Sequence, residues 1–271
     1  MSSLSEKNMR LRVLDIVVYA HIYNTNYIYK LAKGFKNFPN SKFLVSVPSL
    51  EMKLRVQSVF EKRKISDFRI EIVPNRGRNF GPMLNIFSDE ILKHEILVHV
   101  HSKASNGMAF RYFWSHILWR DLYLSKNKVK MNNLYFSNAE IGVLSSYSLA
   151  WTPPVFSWGG SFEKAKSLYP EITQLYDYSS NFLYPIGGMF WARVEAIRPI
   201  LERFQGHLIF PVESENTPAI RSGQTSEHAI ERFVGLIPEN LGFTQIVRIN
   251  ERRKTLTSAE FILKLNKEQT G

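Results

Sequence analysis

Leu14-Asp15-Ile16-Val17-Val18-Tyr19-Ala20, stopping at His21, is the stretch that decides the class of fold. It is short, β-branched and apolar without a polar alternate face, the pattern of a parallel strand buried on both sides. Working outward, Tyr27 to Phe38 reads as a helix and Lys42 to Val47 as a second strand. A helix from Leu50 to Lys64 follows, then a third strand from Phe68 to Val73, stopped by Pro74. Parallel strands need crossovers, so this βαβαβ rhythm predicts an α/β fold with a doubly wound, Rossmann-type sheet. Ligands are then expected outside the carboxyl ends of the strands. Beyond Pro74 the chain predicts a helix over Met83 to Leu92, a strand over Glu95 to His101 and a helical region from Met108 to Leu124. Another strand spans Glu140 to Ser145, and helices are expected over Val194 to Phe204 and Thr225 to Val234. The 271 residues are 44% hydrophobic, enough for one large core, so a single domain is expected over 1–250, with 251–271 as a tail or surface helix.

The composition narrows the function. No Cys is present, which excludes disulfides and thiolate metal sites and suits a reducing cytoplasm. The start MSSLSEKNMRLR lacks the apolar core of a signal peptide, and no run approaches the roughly 20 apolar residues of a membrane span. A net charge of +11 favours anionic partners, but Lys and Arg are dispersed rather than gathered in an arm or stripe. Nucleic acid is therefore not expected as a partner. Peripheral contact with anionic lipid at the inner face of the cell membrane is compatible with the charge.

Candidate site residues cluster at the predicted strand ends. In Asn75-Arg76-Gly77-Arg78-Asn79-Phe80-Gly81-Pro82, glycines flank two arginines between a strand and a helix, so the backbone can approach an anion and Arg can grip phosphate. The competing reading is an ordinary βα turn with solvated arginines. His99 and His101 share a face of their strand, and Ser102 and Lys103 follow at its carboxyl end. The pair suits a metal, but no Asp or Glu lies beside it, and Lys103 can neutralise a diphosphate directly. His21 ends the first strand where a nucleotide base or ribose would sit, although a lone strand-end His is more often structural.

Three blocks carry a resemblance. They are Asn75-Arg76-Gly77-Arg78-Asn79 with Pro82; His101-Ser102-Lys103 with Ser105 and, downstream, Trp119-Arg120; and Gly187-Gly188-Met189-Phe190-Trp191-Ala192-Arg193 with His228-Ala229-Ile230-Glu231-Arg232. In order and spacing the chain resembles the rhamnan synthesis F family of bacterial cell-wall and O-antigen glycosyltransferase domains. Asn79 stands where the family pattern usually has Asp. The resemblance implies a GT-A-like fold, a nucleotide-sugar donor and a lipid-linked or polysaccharide acceptor in surface polysaccharide synthesis. GT-A enzymes often hold the donor diphosphate through a metal on Asp-x-Asp, a motif this chain lacks. Lys103 with Arg76 or Arg78 is expected to replace it, and no cofactor is required. Were Mg or Mn used, His99, His101 and His228 would be its ligands.

A transfer that inverts the anomeric carbon needs a carboxylate to take the acceptor proton. Glu231, in the family segment, and Glu227, one turn earlier on the same predicted helix face, are the candidates. An ion pair of Glu231 with Arg193 or Arg232 is the structural alternative. Gly188, Trp191 and His228 are expected on the acceptor side, with Trp151 and Trp158 as exposed sugar contacts. Met189 and Phe190 read as core. The rival function is a non-catalytic sugar- or nucleotide-binding module of a polysaccharide-assembly protein.

Overall fold

The computed structural model of the chain describes residues 13–74, 76–102, 109–147, 157–206, 208, 210, 224–249 and 254–257. Eight strands form one sheet. They are β1 (Ile16–His21), β2 (Lys42–Val47), β3 (Phe68–Ile72), β4 (Ile96–His101), β5 (Ile141–Tyr147), β6 (Phe190–Arg193), β7 (Thr244–Ile249) and β8 (Lys254–Thr257), in the order β3-β2-β1-β4-β6-β5-β7-β8. The neighbours β3-β2, β2-β1, β1-β4 and β5-β7 are parallel, whereas β6 runs antiparallel to both β4 and β5, and β8 to β7. This is a GT-A-like, Rossmann-type α/β sheet, flanked by helices in one domain.

Every residue of β1 is buried, as its unbroken apolar run requires of a central strand. The edge strand β3 keeps only Ile70 buried. Connections on one face are α1 (Asn26–Gly34), a 3-10 turn (Phe35–Asn37), α2 (Leu50–Lys62), α5 (Ala109–Trp119), a π turn (Arg120–Leu124) and α6 (Lys126–Phe136). They cover a core of Val18, Val45, Val98, Trp119 and Trp191. The other face carries α3 (Phe80–Ile86), α4 (Ser88–Ile91), α7 (Phe162–Leu168), α8 (Pro170–Leu175), α9 (Val194–Phe204) and α10 (Ser226–Asn240). These enclose Val17, Leu44, Leu97, Phe190, Ile230 and Phe233.

Several elements depart from expectation. The single helix predicted over Met83 to Leu92 starts at Phe80 and breaks at Phe87, where the Ser88 hydroxyl donates to the Leu84 carbonyl at 2.7 Å. Helix α6 was not foreseen, because its inward positions are Val129, Asn132 and Phe136, and the Asn interrupts the apolar period. Residues 254–257, assigned by sequence to the tail, are a strand paired with β7.

Candidate active site

At the switch point of the sheet, where successive connections lead away from β1 in opposite directions, β1 and β4 lie side by side with Tyr19 paired to His99 and His21 to His101. A crevice at the carboxyl ends of strands is the binding position of such sheets. A polar network lies at these strand ends on the α10 side. His21 Nδ1 lies 2.8 Å from the Ser46 hydroxyl, which also meets the Tyr19 hydroxyl at 3.0 Å. Tyr19 in turn donates to the Asn79 carbonyl at 3.0 Å, and the Asn79 amide nitrogen lies 3.5 Å from His99 Nε2. His99 Nδ1 is buried and has no partner among the described residues. Tyr19 and Ser46 escaped the sequence reading; the signal available was a single hydroxyl within the apolar run of each strand.

Burial, with the neighbouring His101 as a smaller cause, lowers the His21 pKa to about 3, and burial likewise holds His99 well below the usual histidine range. Both imidazoles are neutral in the folded protein, whereas in the unfolded chain they titrate near 6.5. Below that pH the unfolded state takes up protons that the folded state refuses, so stability falls as pH drops from about 6.5 towards 3. Between pH 7.5 and 5.5 the two together are expected to remove about 2–3 kcal/mol. Urea midpoints at the two pH values check this, and a midpoint that did not move would mean that the rings are solvated.

Two of the sequence blocks meet at Gly187, and the third approaches the residue after it. His101 Nε2 donates to the Gly187 carbonyl at 2.7 Å, and the Gly187 N–H donates to Glu231 Oε1 at 2.8 Å. Gly188 follows with φ +69, and a Cβ there would stand 2.8 Å from the Asn79 amide nitrogen. The turn therefore needs glycine both for its backbone and for its neighbours. Glu231 Oε2 is 3.9 Å from Arg232, while Arg193, the other partner foreseen for it, sits at the opposite edge of the sheet against Glu95.

Glu227 differs from its neighbour. It is 3% exposed, and neither carboxylate oxygen has a hydrogen-bond partner among the described residues. It lies in the first turn of α10, which descends from the carboxyl edge to β7, and one turn before Glu231 on the same face. His228 Nδ1 is 2.7 Å from the Thr225 hydroxyl.

Two aromatic expectations are corrected. Trp158, foreseen as an exposed sugar contact, is fully buried among Phe162, Phe182 and Phe233, with its indole N–H on the Tyr176 carbonyl at 3.0 Å. Trp191, foreseen on the acceptor side, is also fully buried, on the face away from His101, and donates to the Leu122 carbonyl at 2.7 Å. Neither can touch a sugar. Asn75, Lys103 and Trp151 lie outside the described residues.

In the arginine loop, Gly77 has φ +70 and a Cβ there would meet the Phe210 ring at 2.5 Å, so its missing side chain makes room for packing. Arg78 also adopts positive φ, +47, and Arg76 is exposed beside a cleft of about 210 Å³ shared with Pro82 and Phe210. A larger cleft of about 520 Å³, lined by Asn85, Asp89 and Gln205, also flanks α3. Neither contains the histidines or the glutamates of α10, and the crevice is preferred as the site because it joins the switch point to buried titratable groups. Among the described residues no group of three or more His, Cys, Asp or Glu is arranged to hold a metal ion. No helix of the described residues is long and apolar enough to cross a membrane.

Residues 2–243 match the family described as Rhamnan synthesis protein F. The chain belongs to the rhamnan synthesis protein F family. Membership ties it to polysaccharide synthesis. The chain is also similar to proteins described as "Uncharacterized protein WxcX" in two strains of Xanthomonas campestris pv. campestris. It is 26% identical over 200 residues to the one in strain B100 and 28% to the one in strain ATCC 33913. In each case 73% of this chain is covered, and it spans 28% of the relative's length.

Proposed function

We propose that the chain is a glycosyltransferase domain that moves a sugar from a nucleotide-sugar donor to a glycan acceptor in bacterial surface polysaccharide synthesis. The observation that carries this reading is the buried carboxylate of Glu227, without a hydrogen-bond partner among the described residues, at the carboxyl edge of a Rossmann-type sheet. Such a group costs free energy unless something arrives to donate to it. An acceptor hydroxyl is the donor that the chemistry supplies. The hydroxyl oxygen attacks the anomeric carbon, the bond from that carbon to the diphosphate oxygen breaks, and the nucleoside diphosphate leaves with the electron pair. The proton passes to Glu227. Lys103, next in sequence after Ser102, and Arg76 or Arg78 stabilise the departing diphosphate.

Glu231 then acts as a positioning residue, holding the Gly187 turn through an oxygen that Gln also possesses. Glu231→Gln is expected to keep activity within about fivefold, whereas Glu231→Ala loses about 10- to 100-fold, an amount comparable to removing a charge-assisted hydrogen bond. Release of nucleoside diphosphate from a panel of nucleotide sugars, with and without glycan acceptor and divalent metal, tests the function itself. Acceptor-dependent release supports transfer. Nucleotide-sugar binding without release under any condition supports the non-catalytic module instead.

A further inference from the structure

The two helical layers differ in charge. Helices α1, α2 and α6 with the 3-10 and π turns carry ten Lys and Arg against three acidic residues, a formal charge of +7. The opposite layer, α3, α4 and α7 to α10, carries five Lys and Arg against nine acidic residues, or −4. The two helical layers, at +7 and −4, thus differ in sign as well as in size. Large apolar side chains stand exposed among these charges. Tyr29 on α1 is 71% exposed, and Leu50 and Leu54 on α2 are 61% and 56% exposed.

Leu50 and Leu54 are one turn apart, so they share the outward face of α2, while Met52, Val56 and Phe60 face the core. Lys33 and Lys36, which follow Tyr29, are exposed as well. Helices α1 and α2 both begin where β1 and β2 end, which places Tyr29, Leu50 and Leu54 towards the same edge as His21 and His101.

We propose that this α1–α2 face docks on a bilayer containing anionic phospholipid. Lysines supply attraction to the headgroups, and the two leucines and the tyrosine enter the interface, the combination that holds amphipathic surfaces on membranes. A nucleic acid would use the charge but has no place for paired leucines. The inference rests on charge and exposure alone and stands whichever reaction the crevice performs.

Sedimentation with vesicles of phosphatidylcholine, pure or with about one-third phosphatidylglycerol, tests it. The full chain is expected to bind the anionic vesicles only, and less as salt rises. Lys33→Gln with Lys36→Gln lowers the partition coefficient about 25-fold, at about fivefold per lysine. Leu50→Ser with Leu54→Ser lowers it with charge unchanged, and Leu175→Ser, an exposed position on the opposite layer, leaves it unaltered. Thermal melts establish that each variant is folded. Equal binding to both vesicle types, or binding indifferent to the α1 and α2 variants, overturns the proposal. So does tighter binding to duplex RNA or DNA than to the vesicles, or self-association that the leucine variants abolish.

Discussion

Glu227→Gln is expected to abolish sugar transfer, by a factor of about 10²–10⁴, while making the protein more stable. The two effects share one cause. A residue at 3% exposure whose two carboxyl oxygens meet no hydrogen-bond partner among the described residues is held at a cost, and the neutral amide of glutamine lowers that cost. A gain of about 1–3 kcal/mol in the urea midpoint at pH 7 is the matching expectation. Activity and stability moving in opposite directions mark a residue kept for chemistry rather than for folding. Loss of both would place Glu227 in the structural network. Retained transfer would remove it from the reaction and leave Glu231 as the candidate base.

Arg193→Ala is expected to cost about 3–5 kcal/mol, a large part of the 5–15 kcal/mol that holds a typical domain together. Arg193 is 6% exposed. It donates to the carbonyls of Ile141 at 3.2 Å, Phe136 at 2.8 Å and Asn138 at 3.0 Å, and to Glu95 at 3.1 Å. One side chain thereby ties the end of β6 to the start of β5, the end of α6 and the residue before β4. Lysine cannot reproduce that fork, so Arg193→Lys is expected to recover little. Chemical denaturation of both variants decides the matter, and a loss below about 1 kcal/mol would show that the lock is redundant.

The first half of the fold was legible because its strands are central and therefore almost wholly apolar. Ile16 to His21, Lys42 to Val47 and Ile96 to His101 announce themselves without an alignment. The second half was less so, for physical reasons. Strand β6 has only four residues, too few for a period, and β7 mixes Gln245 and Arg248 into its run because those side chains find polar partners inside. At the candidate site, residue types were readable but surroundings were not. Glu227 and Glu231 share one face of a single helix, and the Gly187 amide engages Glu231 while Glu227 has no hydrogen-bond partner among the described residues. Trp158 illustrates the opposite failure. Proline and glycine around it suggested a surface loop, yet the aromatic cluster of α7, Phe182 and α10 encloses it completely.

The placement of β6 also sets an order in time. Among the described residues it is the only strand linking β3-β2-β1-β4 to β5-β7-β8, and it pairs His99 with Phe190 across a long span of chain. The four parallel strands are complete by His101 and are joined through short crossovers, so a chain emerging from the ribosome can assemble them early. Strand β5, though synthesised before β6, has no neighbour in the sheet until residues 190–193 arrive to bridge it to β4. The Gly187 turn that gathers His101 and Glu231 immediately precedes this bridge, so the crevice is among the last parts of the molecule to form.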